Sequence, residues 1–182
     1  MQGTDAGKQN RRIRARDQRV DRAVIEHLQY LLAAAVCMMA RDRGIRVVFQ
    51  MPLYPMRSNI DTDSSRDNHG RVWNTRCNHF GWRLYLRKDA KKQVSPYAAP
   101  AWQTDYSGLP PCYTFVGDGE PFYAETLAYA AQLQKAGVEA EADVYHTDMH
   151  AFDMLRDGDL SRKAIEAFHR HFEAALKKYG GI

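Results

Sequence analysis

The residues whose types and spacing could do chemistry here are two carboxylates, Asp118 and Glu120, and a histidine, His150. Asp118 and Glu120 follow the apolar run "CYTFV" in the stretch "VGDGEPFYAET". His150 follows "EADVYH" in the stretch "TDMHAF". In open parallel sheets, reactive groups collect on the loops at the carboxyl ends of the strands. An acid on one such loop and an imidazole on the next can meet. The acid then fixes the imidazole's tautomer and stabilises its charged form, as a general base requires. The same pair can also be purely structural, and the spacing alone leaves both readings open.

Other histidines carry less. "HTDMH" (His146 to His150) has metal-ligand spacing only on a helix, lacks the glutamate of a zincin, and falls on a strand-to-loop transition. His169 and His171 in "HRH" point to different faces of a helix and read as surface residues. No metal or cofactor is expected.

The elements that must position Glu120 and His150 alternate. Leu28, Leu31, Leu32, Ala35, Val36 and Met39 recur at helical spacing, with Gly44 as a stop. "IRVVFQMPLYP" (Ile45 to Pro55) is nearly unbroken in β-branched and aromatic residues, which suits a parallel strand covered on both faces. Residues 56–109 are polar, carry Trp73, Trp82 and Trp102, and read as a connection over the sheet with one or two short helices. Packing is the expected use of those tryptophans.

"PCYTFVG" is a short apolar strand. "PFYAETLAYAAQLQKAG" is a helix with Pro121 in its first turn, Leu127, Ala130 and Leu133 on one stripe, and Gly137 past its end. Val138 to His146 alternates as an edge strand should. The last helix is expected to start with Ser161 as N-cap and to bury Ile165, Phe168, Phe172 and Leu176. The order predicts an α/β fold with three parallel strands and flanking helices.

Length and composition set the outer bounds. A chain of 182 residues with 45% hydrophobic content supports one domain with a packed core. The net charge of +4 is concentrated in Lys8 to Arg22, which reads as a solvated terminal segment, and nucleic acid is not the expected partner. Three cysteines without a C-x-x-C pair argue against a disulfide framework or zinc ribbon and fit a reducing, cytoplasmic setting. The first residues are polar, so no secretory signal is expected. The apolar run Leu31 to Ala40 is too short to span a bilayer.

From about Leu32 onward the chain resembles the C-terminal half of an α/β-hydrolase of the hormone-sensitive-lipase-like esterase group. The stretches that carry the resemblance are "LAAAVCMMARDRG", "FQMPLYPM", "LPPCYTFVGDGEPFYAETLAYAAQLQKAGV" and "VYHTDMHAFD". The resemblance implies a partial α/β-hydrolase fold over residues 31–182, preceded by a divergent basic segment, residues 1–30. It implies that Glu120, directly before Pro121, is the triad acid, where Asp is commoner in the family, with Asp118 as the fallback. It implies that His150 is the triad base, with Ala151 where many relatives have glycine.

The family's nucleophile elbow, Gly-x-Ser-x-Gly, belongs just before "LAAAVCMMARDRG", on a strained strand-to-helix turn. This sequence has "VIEHLQYLLAAAV" there, with His27 at the serine position and Ile25 and Gln29 at the flanking glycines. None of Ser58, Ser64, Ser65, Ser95, Ser107 or Ser161 stands in such a frame, and no His-Gly-Gly motif is present. The expectation is therefore a serine-esterase-type chain that keeps the acid and histidine for a small acyl-ester substrate but lacks nucleophile and oxyanion hole, and is inactive alone. The alternative is a non-catalytic half-domain that pairs with a partner or a second copy through an open sheet edge. Asp21 to Ile25 reads as a substitute edge strand or as part of the first helix, and the sequence does not choose.

Overall fold

The computed structural model describes residues 33–155 and 158–180. The basic segment Lys8 to Arg22, the alternatives for Asp21 to Ile25, and Glu26 and His27 lie outside the described residues. So does the part of the expected first helix that precedes residue 33.

Residues 33–42 form helix α1. Its end is set by Gly44 at φ +68°, a conformation that costs a side-chain-bearing residue more than glycine. Gly44 N–H donates to Arg41 O and Ile45 N–H to Ala40 O, closing the helix in a Schellman turn. The chain then runs without helix through 45–53 to a bend at Tyr54. Asn74 caps helix α2 (Thr75–Leu86), its side chain accepting from Arg76 N–H and Cys77 N–H.

Strand β1 (Cys112–Gly117) leads through helix α3 (Tyr123–Lys135) to strand β2 (Ala140–Tyr145). Gly137, at φ +77°, ends α3 by the same Schellman geometry as Gly44. The two strands pair in parallel, from Cys112 opposite Ala140 to Gly117 opposite Tyr145. Helix α4 (Asp159–Tyr179) completes the order. Every residue of β1 is buried, whereas no residue of β2 is: Glu141 and Val144 are exposed and the other four are half-buried, so the expected alternation gives an edge strand without one clean wet face.

The third expected strand is present only as an extended segment. Gln50 bridges Cys112 in parallel: its N–H donates to Pro111 O, and its carbonyl accepts from Tyr113 N–H. Pro52 has no N–H for the next rung, so the ladder is interrupted until Tyr54 N–H donates to Phe115 O. Thr114 Oγ1 spans the gap by donating to Pro52 O at 2.5 Å.

Two clusters flank β1. Cys37 and Met38 of α1 pack with Tyr129 and Leu133 of α3 and with Cys112. On the other side Tyr54, Trp73, Trp82, Phe115, Phe122 and Phe152 pack with Ala164 and Ala167 of α4. Trp73 and Trp82 are core residues, and Trp102 packs against that core, as expected of the connection.

Several helix details differ from expectation. In α3 the buried face is Glu125, Thr126, Tyr129, Ala130 and Leu133, so Leu127 sits at its side, half-buried. Helix α4 begins at Asp159 after Gly158. Ser161 is not its cap but a buried residue whose Oγ donates to Asp153 O. Helix α4 buries Ser161, Ala164, Ala167 and Ala175, while Ile165, Phe172 and Leu176 remain 40%, 45% and 54% exposed. Small side chains let the helix approach the core closely, and the large ones flank toward the open side of residues 45–53. His171 is not surface decoration. Its ring stacks on Tyr113 at 3.8 Å, with Glu141 at 3.6 Å.

These burial differences set a stability contrast. Phe115→Ala, at a fully buried site, should cost about 3–5 kcal/mol. Phe172→Ala should cost less than about 1 kcal/mol, because much of its surface already meets solvent. Urea unfolding of both variants measures the difference. Equal large losses would mean the α4 stripe is covered.

Candidate active site

Glu120 and His150 lie on the loops that leave β1 and β2. The paired strand ends, Gly117 and Tyr145, start both loops from the same edge of the sheet. A turn closed by Glu120 N–H to Gly117 O brings the carboxylate back over its own strand. There Oε1 accepts from Gly117 N–H at 2.7 Å. Gly117 must lack a side chain for this: a Cβ would stand 2.5 Å from Thr147 O and 3.0 Å from Glu120 Oε1.

The other carboxylate oxygen, Oε2, lies 2.5 Å from Nδ1 of His150. Both side chains are fully buried. Aromatic rings surround the imidazole: Tyr54 at 4.6 Å and Phe122 at 5.0 Å, both edge-on, and Trp73 at 6.1 Å. Asp153 stands nearby, accepting from Tyr54 Oη at 3.0 Å.

This apolar shell governs the electrostatics. Burial pushes the Glu120 carboxyl up to about 8, partly opposed by the Gly117 N–H bond and reinforced by Asp153. Burial also pulls the His150 imidazole down to about 3, with Asp153 acting the other way. Both shifts favour a pair of zero net charge at neutral pH, with one proton in the bridge between Oε2 and Nδ1.

Asp118 is elsewhere. Its Oδ2 is 2.7 Å from Nδ1 of His146, and its Oδ1 accepts from Thr147 N–H. The hydrogen bond to His146 holds the Asp118 carboxyl below its usual range and pushes the His146 imidazole above its own. The fallback acid thus pairs with the exposed histidine, not with His150. His146 and His150 also face different environments, and no group of three metal-ligating side chains occurs among the described residues.

Some contributors escape a sequence reading. Tyr54 adopts φ +33°, a strained value for a tyrosine, held by its N–H bond to Phe115 and its hydroxyl bond to Asp153. Ala151 also sits at φ +58°, next to His150. Glu125, fully buried in α3, is a structural clasp. Its Oε2 accepts from the N–H groups of Arg57 and Ser58, each at 2.5 Å, and burial lifts its carboxyl to about 8. Arg57, also buried, lies over the Tyr129 ring at 3.9 Å. Only "LYP" within the family-like stretches hinted at Tyr54, and nothing hinted at Glu125.

The family described as alpha/beta hydrolase fold matches residues 31–154. The chain belongs to the α/β-hydrolase family. Within it, this hydrolase-family chain groups with the hormone-sensitive-lipase-like esterases. It is 26% identical over 124 residues to an arylesterase of Saccharolobus solfataricus, a match covering 66% of this chain and 40% of that protein. The structure is similar to a bacterial heroin esterase (TM-score 0.70, 30% identity, 77% of this chain and 47% of that one). It is also similar to the esterase LipW of Mycobacterium marinum (TM-score 0.75, 26% identity, 81% and 47%). The chain therefore spans less than half the length of these relatives.

Two outcomes are expected of the site. A His folded neutral loses stability as pH falls from 6.5 toward 3, because the unfolded chain takes up the proton. A carboxyl folded protonated is stabilising below 4.5, and that contribution is lost as pH rises to about 8. Glu120→Gln, which cannot ionise, should flatten the alkaline limb of a stability–pH profile measured by urea unfolding and leave the acid limb in place. An unchanged alkaline limb would contradict the assignment. Separately, Ala151→Gly should leave stability unchanged or raise it by up to about 1 kcal/mol, since glycine adopts positive φ at no cost. A loss of that size would mean Ala151 is not strained.

Proposed function

We propose that this chain is the acid–base half of a carboxylic ester hydrolase. In this reading Glu120 is the triad acid and His150 the triad base, acting on small acyl esters. The observation that carries it is the buried 2.5 Å bond from Oε2 to Nδ1. With Nδ1 held, His150 would take a proton at Nε2. In a complete esterase a serine Oγ forms the bond to the ester carbonyl carbon, its proton passes to Nε2, and then to the departing alkoxide. Water repeats the sequence to release the acid.

The sequence itself has no Gly-x-Ser-x-Gly, and His27 stands at the serine's matched position. Removing the nucleophile of a triad costs on the order of a millionfold in turnover, and losing an oxyanion donor costs about 3 kcal/mol more. We therefore propose that this chain alone is inactive or nearly so. The proposal divides the chain into a divergent segment, residues 1–30, and a hydrolase-like region, residues 31–182, and sets it in the cytoplasm. No helix among the described residues is long and apolar enough to cross a membrane.

A second reading is favoured by one surface. Val48, Phe49 and Met51 form a groove of about 320 Å³ with Phe168, Phe172 and Leu176 of α4. An exposed apolar face beside a segment that joins the sheet by a single bridge suits a half-domain that docks a partner or a second copy.

Hydrolysis of a short-chain chromogenic ester, by the chain and by His150→Ala, separates these readings. The expected result is background turnover in both. Turnover that vanishes in His150→Ala would overturn the claim of inactivity and support the acid–base roles. Such turnover should rise with pH through about 8, as the bridging proton leaves Glu120 and frees the Nδ1–H tautomer.

A further inference from the structure

A second cavity, of about 480 Å³, opens on the outer side of α2. That volume is in the range of small-molecule sites. Its lining comes from three segments: Asn59, Asp61 and Arg66; then Arg76, His79, Trp82 and Arg83; then Ala90 and Lys91. Gly117, Tyr54, Trp73 and Phe122, which contact Glu120 or His150, do not line it. On α2, positions 76, 79 and 83 recur at helical spacing and form one polar stripe. Gly81, on another face, packs against the Trp73 ring that leads toward His150.

The charge in this cavity is one-sided. Arg66, Arg76, Arg83 and Lys91 line it, against a single carboxylate, Asp61. Asp61 is already engaged, with His79 Nε2 at 2.8 and 3.0 Å from its two oxygens. Among the described residues, none of the four cations has a carboxylate within ion-pair distance or a side-chain hydrogen bond. Like charges gathered around a concave, low-dielectric wall repel one another and focus a positive potential into the cleft.

The floor is rigid and apolar. Trp82 and Ala90 are buried there. Asn59 is pinned by donating to Ala90 O and Lys92 O and by accepting from Trp102 Nε1 at 2.7 Å. Ile60 adds a 41% exposed apolar wall. Guanidinium groups bind phosphate oxygens in bidentate fashion, and an apolar floor takes the body of an organic molecule.

We propose that this cavity binds a small organic phosphate, a phosphomonoester with an apolar or planar body. The phosphate sits among Arg66, Arg76, Arg83 and Lys91, and the body lies toward Trp82, Ala90 and Ile60. This site is separate from the ester-hydrolysis reading and stands or falls without it.

Calorimetric titration of the full chain with 2-naphthyl phosphate at low salt tests it, with 2-naphthol and inorganic phosphate alongside. The expected result is saturable binding of 2-naphthyl phosphate, tighter than inorganic phosphate, and none of 2-naphthol. Arg76→Gln/Arg83→Gln should weaken binding by about tenfold or more, as loss of charge-assisted bonds requires, and added salt should weaken it further. Arg66→Gln/Lys91→Gln, at exposed positions on other segments, should do the same and guards against a fold defect in the helix variant. His150→Ala should bind as the parent does. Absence of saturable binding, equal binding of 2-naphthol, inorganic phosphate binding as tightly as 2-naphthyl phosphate, or an affinity unchanged in both double variants would overturn the proposal.

Discussion

One hydrogen bond, between His150 Nδ1 and Glu120 Oε2, ties together the carboxyl ends of the two strands and constrains everything around them. It spans two loops whose starting points are fixed by the parallel register of Gly117 and Tyr145. It requires the close approach of Thr147 that only a glycine at 117 permits. Its carboxylate is oriented by the last N–H of its own strand. A slip of one residue in the register would turn every β1 side chain to the opposite face and separate the pair.

Burial gives this bond its character. Tyr54, Trp73 and Phe122 supply an apolar wall around the imidazole, and Asp153 supplies a further carboxyl held by Tyr54. An unpaired charge in such a place is costly, while a shared proton keeps the pair neutral. The strain at Tyr54 is tolerated because two hydrogen bonds, to Phe115 and Asp153, fix both ends of the residue. Geometry suited to a general base and the electrostatic resistance to charging it therefore come from the same residues.

Much of the framework was legible in the sequence. The helix stops at Gly44 and Gly137 followed from glycine chemistry, and so did the place of β2 beside β1, though its alternation did not yield one dry face, since Val144 is exposed. The orientation of α4 was not legible. Its strongest apolar stripe, Ile165, Phe172 and Leu176, faces outward, because the small residues Ala164, Ala167 and Ala175 give the closer approach to the core. The third strand was over-read because one proline, Pro52, breaks its ladder at the middle rung. At the site, spacing could not choose between Asp118 and Glu120, which share one turn. The choice came from the resemblance, and the turn directs Asp118 to His146 and Glu120 to His150. Ring packing around His150 and the Glu125 clasp depend on long-range contacts that no local pattern encodes.

Nitrogen-15 NMR of histidine-labelled protein tests the buried, proton-sharing Glu120–His150 pair most directly. The expected result is one histidine that stays neutral between pH 7 and 5, well below the usual titration range, with a strongly downfield bridging proton that disappears in Glu120→Gln. A His150 signal that titrates near 6.5, with no downfield proton in the parent chain, would contradict it.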